Sequence, residues 1–129
     1  MPSSYVKGRS FEYTVRMKFA KKGYLSIRAS SSKGTPKGQP PIDIIAVKDG
    51  KAIAVECKMR KKEINLQILK ELFELGIKYG VNVIIVHSNG RITCIIVYDK
   101  DNIALEMKNV FEYVKIAKIN EEDYELIDV

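Results

Sequence analysis

The chain has 129 residues, with 22 Lys and Arg against 16 Asp and Glu, and a formal charge of +6 at pH 7. That length fits a single domain, and a composition 46% hydrophobic and 29% charged is that of a globular fold, which excludes a disordered chain. Two cysteines, Cys57 and Cys94, are too few for a disulfide framework, and the apolar runs fall far short of the roughly 18 residues of a membrane span.

The charge is unevenly distributed. Residues 1 to 62 hold 15 basic and 4 acidic side chains, a balance of +11, whereas residues 63 to 129 hold 7 basic and 12 acidic, a balance of −5. A basic half of this kind is the electrostatic footprint of a nucleic-acid-binding surface. The first residues contain no signal-like apolar stretch, and both cysteines sit in apolar strand-like runs. Reduced, buried thiols in a cytoplasmic, nucleoid-associated protein are therefore expected.

Ser4 or Ser10 can cap a first helix, whose apolar residues Phe11, Val15 and Phe19 recur every fourth position and which Gly23 is placed to end. Residues 24 to 28 alternate like a strand, and residues 30 to 41, rich in Ser, Gly, Pro and Lys, predict a long basic loop. Ile42 to Val47 and Lys51 to Lys58 predict two antiparallel strands around Asp49-Gly50, a turn in which both central residues tolerate positive φ. Residues 63 to 79 predict a second helix through Leu69, Leu72, Phe73 and Gly76, stopped by Gly80. Val81 to His87 and Arg91 to Tyr98 predict a hairpin of the Asn-Gly type. Asp101 or Asn102 can cap a third helix running to about Tyr113, and the acidic tail 120–129 predicts at most a short edge strand. The expected class is α/β: one domain over 1–129, a mixed sheet with helices on its faces, in the order helix, three strands, helix, two strands, helix.

The chemistry is carried by Asp43 and by the strand segment Glu56-Cys57-Lys58. Strand side chains alternate, so Glu56 and Lys58 share one face while Val55 and Cys57 share the other. A two-residue turn centred between 49 and 50 pairs position 43 with position 56, which brings the two carboxylates together. Two carboxylates in a partly buried place raise each other's pKa unless a cation relieves them. Mg²⁺ suits such a pair, because it takes one or two carboxylates, keeps waters, and accepts phosphate oxygens. Asp43, Glu56 and the Cys57 backbone carbonyl would supply the protein's share, with Lys58 beside them to orient or deprotonate water or to hold a phosphate. His87, the only histidine, ends an apolar strand and is expected to cap or pack, while the cation run Lys58, Arg60, Lys61, Lys62 is placed to meet phosphates.

This pattern resembles the PD-(D/E)xK nuclease superfamily, and within it the archaeal Holliday junction resolvases of the Hjc type. The resemblance runs from Lys7-Gly8-Arg9-Ser10-Phe11-Glu12 through Gly23-Tyr24 and Arg28 to Ser32, then Asp43, Glu56-Cys57-Lys58 and Gln67. It implies a restriction-endonuclease-like sheet and a Mg²⁺ site, with Mn²⁺ as a substitute, in which Glu12 is a further acid, Asp43 and Glu56 are the principal metal ligands, and Lys58 is the catalytic lysine. Arg28 and Ser32 match residues around the scissile phosphate and on the loop, and Gln67 matches a glutamine that positions water or phosphate. Tyr13 stands where the family usually has Arg, so Arg9 or Arg16 is the candidate phosphate contact there, and Ile42 separates Pro41 from Asp43.

The implied activity is cleavage of four-way DNA junctions by paired symmetric nicks from a homodimer, since a two-fold substrate needs two equivalent sites. Lys7, Arg9, Arg16, Arg28, Ser30, Ser32, Lys33, Lys37, Arg60, Lys61 and Lys62 form the expected DNA surface, read by shape and phosphate contacts. The alternatives are a repair or restriction-type nuclease of the same superfamily, and a non-catalytic DNA-binding module. The apolar stripes of helices two and three, or the strand from Arg91 to Tyr98, are core or dimer face, and a clamp or helicase is a conceivable protein partner.

Overall fold

The computed structural model describes residues 4–29 and 42–129 of the chain. A helix, α1 (Ser4–Lys21), leads into strands β1 (Leu25–Arg28), β2 (Ile44–Lys48) and β3 (Lys51–Lys58). A 3₁₀ turn (Lys61–Glu63) and helix α2 (Leu66–Tyr79) follow, then β4 (Asn82–Ser88), β5 (Ile92–Tyr98), helix α3 (Ala104–Val110), β6 (Tyr113–Ile119) and β7 (Tyr124–Asp128). The strands form one sheet in sequence order; β3 pairs β4 and β5 pairs β6 in parallel, and the other neighbours are antiparallel. Both parallel pairs are crossovers through a helix, as parallel pairing requires. Among the described residues, no helix is long and apolar enough to cross a membrane.

The helices lie on opposite faces. Phe11, Val15 and Phe19 of α1, with Met107 and Val110 of α3, pack on Ile44, Val55, Ile84, Val86, Cys94 and Ile96. Leu69, Leu72 and Leu75 of α2 pack on Ala54, Val83, Ile85, Ile95 and Val97 of the other face. The predicted α1 stripe is thus core, and Phe19 meets Tyr24 and Phe111 edge-on at 5.1 and 5.5 Å. Gly23 ends α1 at φ +87°, with Tyr24 N–H donating to the Phe19 carbonyl at 3.1 Å. Asn65 caps α2 by accepting from Ile68 N–H, and Gly76 brings the helix so close to Tyr98 that a Cβ there would enter the ring. Cys57 and Cys94 are free thiols, half-buried and buried.

Three sequence expectations need correction. Helix α3 ends at Val110, not near Tyr113, and residues 113–119 form β6, a strand the pattern reading did not assign. Neither expected residue caps α3: the N-cap position is Ile103, with no side-chain cap, while Asp99 Oδ1 accepts from Ile103 N–H at 2.8 Å just before the helix and Asp101 is bonded to buried Asn82 by both side chain and backbone, at 2.8 and 2.9 Å. The acidic tail does form an edge strand, β7. The β4–β5 connection is a loop closed by Ser88↔Ile92, in which Gly90 takes positive φ but Asn89 does not.

Candidate functional site

The β2–β3 hairpin folds in the predicted register. Asp49 and Gly50 adopt φ of +52° and +78°, the two left-handed residues of the tightest hairpin turn. Lys48 pairs with Lys51 and Ile44 with Val55, so the next step of the ladder sets Asp43 across from Glu56. Asp43 is pinned from both sides, its N–H donating to the Val55 carbonyl at 3.2 Å and its carbonyl accepting from Ala29 N–H at 2.8 Å. Its Oδ2 accepts from Cys57 N–H at 2.8 Å, which fixes the carboxylate against the backbone of the following strand.

Glu56 is where this arrangement is most strained electrostatically. Burial, then a hydrogen bond with Asp43 and the Asp43 charge, push its carboxyl up to about 9; Lys58 opposes this and Glu12 adds to it. At neutral pH the pair Asp43–Glu56 therefore holds a proton that a cation could replace. The Cys57 thiol is pushed up by burial and by the Asp43, Glu12 and Glu56 carboxylates, so it stays protonated and is no thiolate ligand. The backbone carbonyl is the part of Cys57 that suits a hard cation. Among the described residues, no three His, Cys, Asp or Glu side chains form a metal cage by themselves. Two carboxylates without a closed cage are the donor set of an ion that keeps its waters and shares phosphate oxygens, as Mg²⁺ does.

Glu12 reaches this site from α1, but its Oε2 accepts from Arg28 Nε at 3.0 Å, and the two side chains are only 14% and 27% exposed. The structure therefore unites Glu12, Arg28, Asp43, Glu56 and Lys58, with Glu12 and Arg28 as an ion pair at the site's edge. Gln67 is used elsewhere: its amide donates to Glu71 at 2.8 Å along the exposed side of α2, one helical turn on, and not to the carboxylate pair. Arg16 stacks over the Tyr13 ring at 5.7 Å with its Nε buried, while Arg9, Arg60 and Lys62 are exposed. Ser30, Ser32, Lys33 and Lys37, and the side chains of Lys7 and Lys61, lie outside the described residues. The Glu12–Arg28 pairing was not anticipated from sequence, because the partners sit on different elements with no shared periodicity. His87 is 8% exposed on β4, beside Lys58 in the parallel register, which agrees with a packing role.

Residues 3–82 match the family model described as archaeal Holliday junction resolvase (Hjc). The chain belongs to that family. Family membership makes it a nuclease of DNA recombination and repair whose substrate class is branched DNA. No curated protein sequence matches it. Among solved structures it is similar to Hjc of Archaeoglobus fulgidus, a Holliday junction resolvase from an archaeal hyperthermophile, with 20% identity over 92% of this chain and 85% of that one and a TM-score of 0.56. At that identity the similarity speaks for the fold, a mixed sheet flanked by helices, as the sequence pattern predicted.

Proposed function

We propose that this resolvase-family chain is a Mg²⁺-dependent endonuclease, with Mn²⁺ as a substitute, that works as a homodimer and introduces paired symmetric nicks in four-way DNA junctions. The observation that carries this reading is the Asp43–Glu56 pair, held together by hairpin register and left with a raised carboxyl pKa and Lys58 alongside. Asp43, Glu56 and the Cys57 carbonyl would hold the ion. When bound, it supplies positive charge to the phosphodiester and lowers the pKa of a coordinated water.

The remaining work falls to the chain's own groups. Lys58 shares the strand face of Glu56 and is positioned to hold a non-bridging phosphate oxygen or to take a proton from the attacking water. Arg28, held by Glu12 at the edge of the site, is placed to bring a guanidinium to a phosphate. Hydrolysis then breaks one P–O bond of the backbone and leaves a phosphate and a hydroxyl. The basic half of the chain attracts the DNA, whose recognition rests on shape and phosphate contacts, in the cytoplasm alongside the nucleoid.

The test is cleavage of a synthetic four-way junction at matched salt. Cleavage is expected with Mg²⁺, none with EDTA, and a loss of at least about a hundredfold for Asp43→Ala and Glu56→Gln. Cleavage that survives EDTA or either substitution would overturn the mechanism, and equal cutting of linear duplex would favour a repair or restriction-type nuclease.

A further inference from the structure

The site does not end at Lys58. Strand register carries one face of the sheet onward from Lys58 to His87, from His87 to Thr93, and from Thr93 to Tyr113. Helix α2 covers this face at the opposite end, where Gly76 lies against Tyr98 at the far end of β5. Among the described residues, the end nearest Lys58 is left as a groove of about 780 Å³, lined by His87, Arg91, Thr93 and Tyr113 and by further residues of β6 and β7.

The groove's charges point to the class of occupant. Lys115 donates to Asp128 at 2.9 Å and Lys108 to the Val129 carbonyl at 2.8 Å, so two of its cations are already engaged. Glu112 adds another negative charge to the wall. What the groove presents to a ligand is Arg91, whose guanidinium lies over the Tyr113 ring at 4.4 Å and is in ion-pair contact with none of the described carboxylates. A guanidinium lying over an aromatic ring offers a stacking surface for a nucleobase, and a groove of balanced charge suits an uncharged base better than a bare phosphate.

We propose that this groove is a second DNA subsite, in which an unstacked base at the branch point stacks on the Arg91–Tyr113 pair and helps the enzyme distinguish branched from linear DNA. The proposal rests on the junction-cleaving reading for its substrate and adds a selectivity determinant to it. Three interstrand steps separate Lys58 from Tyr113, about 14 Å. That is the rise of roughly four nucleotides of B-form strand, so the subsite would sit close to, but apart from, the bond being cut.

Binding measured by fluorescence anisotropy in EDTA tests this without requiring cleavage. The probes are a four-way junction, a linear duplex of the same arm sequence, and a junction with abasic residues at the branch. Arg91→Ala and Tyr113→Ala should each weaken junction binding about tenfold and leave duplex binding within about twofold. The abasic junction should bind the wild-type chain about tenfold more weakly and lose nothing further with Arg91→Ala. Arg91→Lys, an exposed and conservative change, should behave like Arg91→Ala, because it keeps the charge and loses the plane. Restoration by Arg91→Lys with equal effects on junction and duplex would reassign Arg91 to phosphate contact and overturn the proposal, as would full-affinity binding of the abasic junction. A chain showing the expected binding pattern without cutting in Mg²⁺ would sink the nuclease reading alone, whereas one with no preference for junctions would sink the subsite together with the junction-specific reading.

Discussion

The two ends of the β2–β3 hairpin carry carboxylates in opposite circumstances. Near the turn, Glu106 of α3 is matched by Lys51 in an ion pair and by the Tyr24 hydroxyl at 3.3 Å. Lys51 is shifted toward its charged form by its bond to Glu106, and the Tyr24 hydroxyl is raised to about 12 by burial and by Glu106, so the shifts at this end keep Lys51 charged and Tyr24 neutral at neutral pH. At the open end, Asp43 and Glu56 face each other with Lys58 as the cation on their strand face, and Glu56 is forced well above the usual carboxylate range. The same hairpin thus holds a compensated cluster at one end and an uncompensated one at the other. A fold tolerates the second kind where something else, a metal ion in the function proposed above, completes it.

The largest expected effect that separates the two ends is in the pH dependence of stability without metal. A carboxyl whose folded pKa is raised binds a proton more tightly in the folded state, so its contribution is fully present below the ordinary value near 4.5 and is lost as the pH climbs toward about 9. Thermal unfolding of the metal-free chain should show stability falling across this window by at most about 1.4 kcal/mol per pH unit from this group. Glu56→Gln should remove that share of the slope, and Glu106→Gln should not. Equal slopes in wild type and Glu56→Gln would place the strain elsewhere.

An intermediate effect is expected from Arg28→Ala. Glu12 then loses the guanidinium beside it, the negative potential around Glu56 grows, and junction cleavage should fall by about tenfold, a barrier change of roughly 1.4 kcal/mol. Activity undiminished by this change would remove Arg28 from the site. The smallest effect belongs to the compensated end: Tyr24→Phe deletes one hydrogen bond and should lower stability by about 0.5–1.5 kcal/mol with cleavage unchanged. A marked loss of cleavage in that variant would mean that the two ends are coupled after all.

The open end was legible in the sequence because its geometry is local. Asp49-Gly50 fixes the turn, the turn fixes the register, and the register sets Asp43 across from Glu56 without reference to the rest of the chain. Strand β6 was not, because Tyr113-Val-Lys-Ile-Ala-Lys-Ile breaks the alternation at Ile116-Ala117, follows a two-turn helix closely and is stabilised by parallel pairing with β5, a non-local contact. Likewise, Asp101 does not cap α3, because its side chain and backbone are drawn to buried Asn82, a choice made by the tertiary fold. Gln67 shows the limit of reasoning from pattern alone: the residue type and spacing match the family, while its side chain is taken by Glu71 in the next turn of its own helix.

The most direct test is a count of protons. Calorimetric titration of the metal-free chain with Mg²⁺ at pH 7.5, repeated in buffers of different ionisation enthalpy, should show release of close to one proton per ion bound by the wild type and none by Glu56→Gln. Binding of Mg²⁺ without proton release, or binding as tight in Asp43→Ala as in the wild type, would contradict the assignment of the Asp43–Glu56 pair as the metal site.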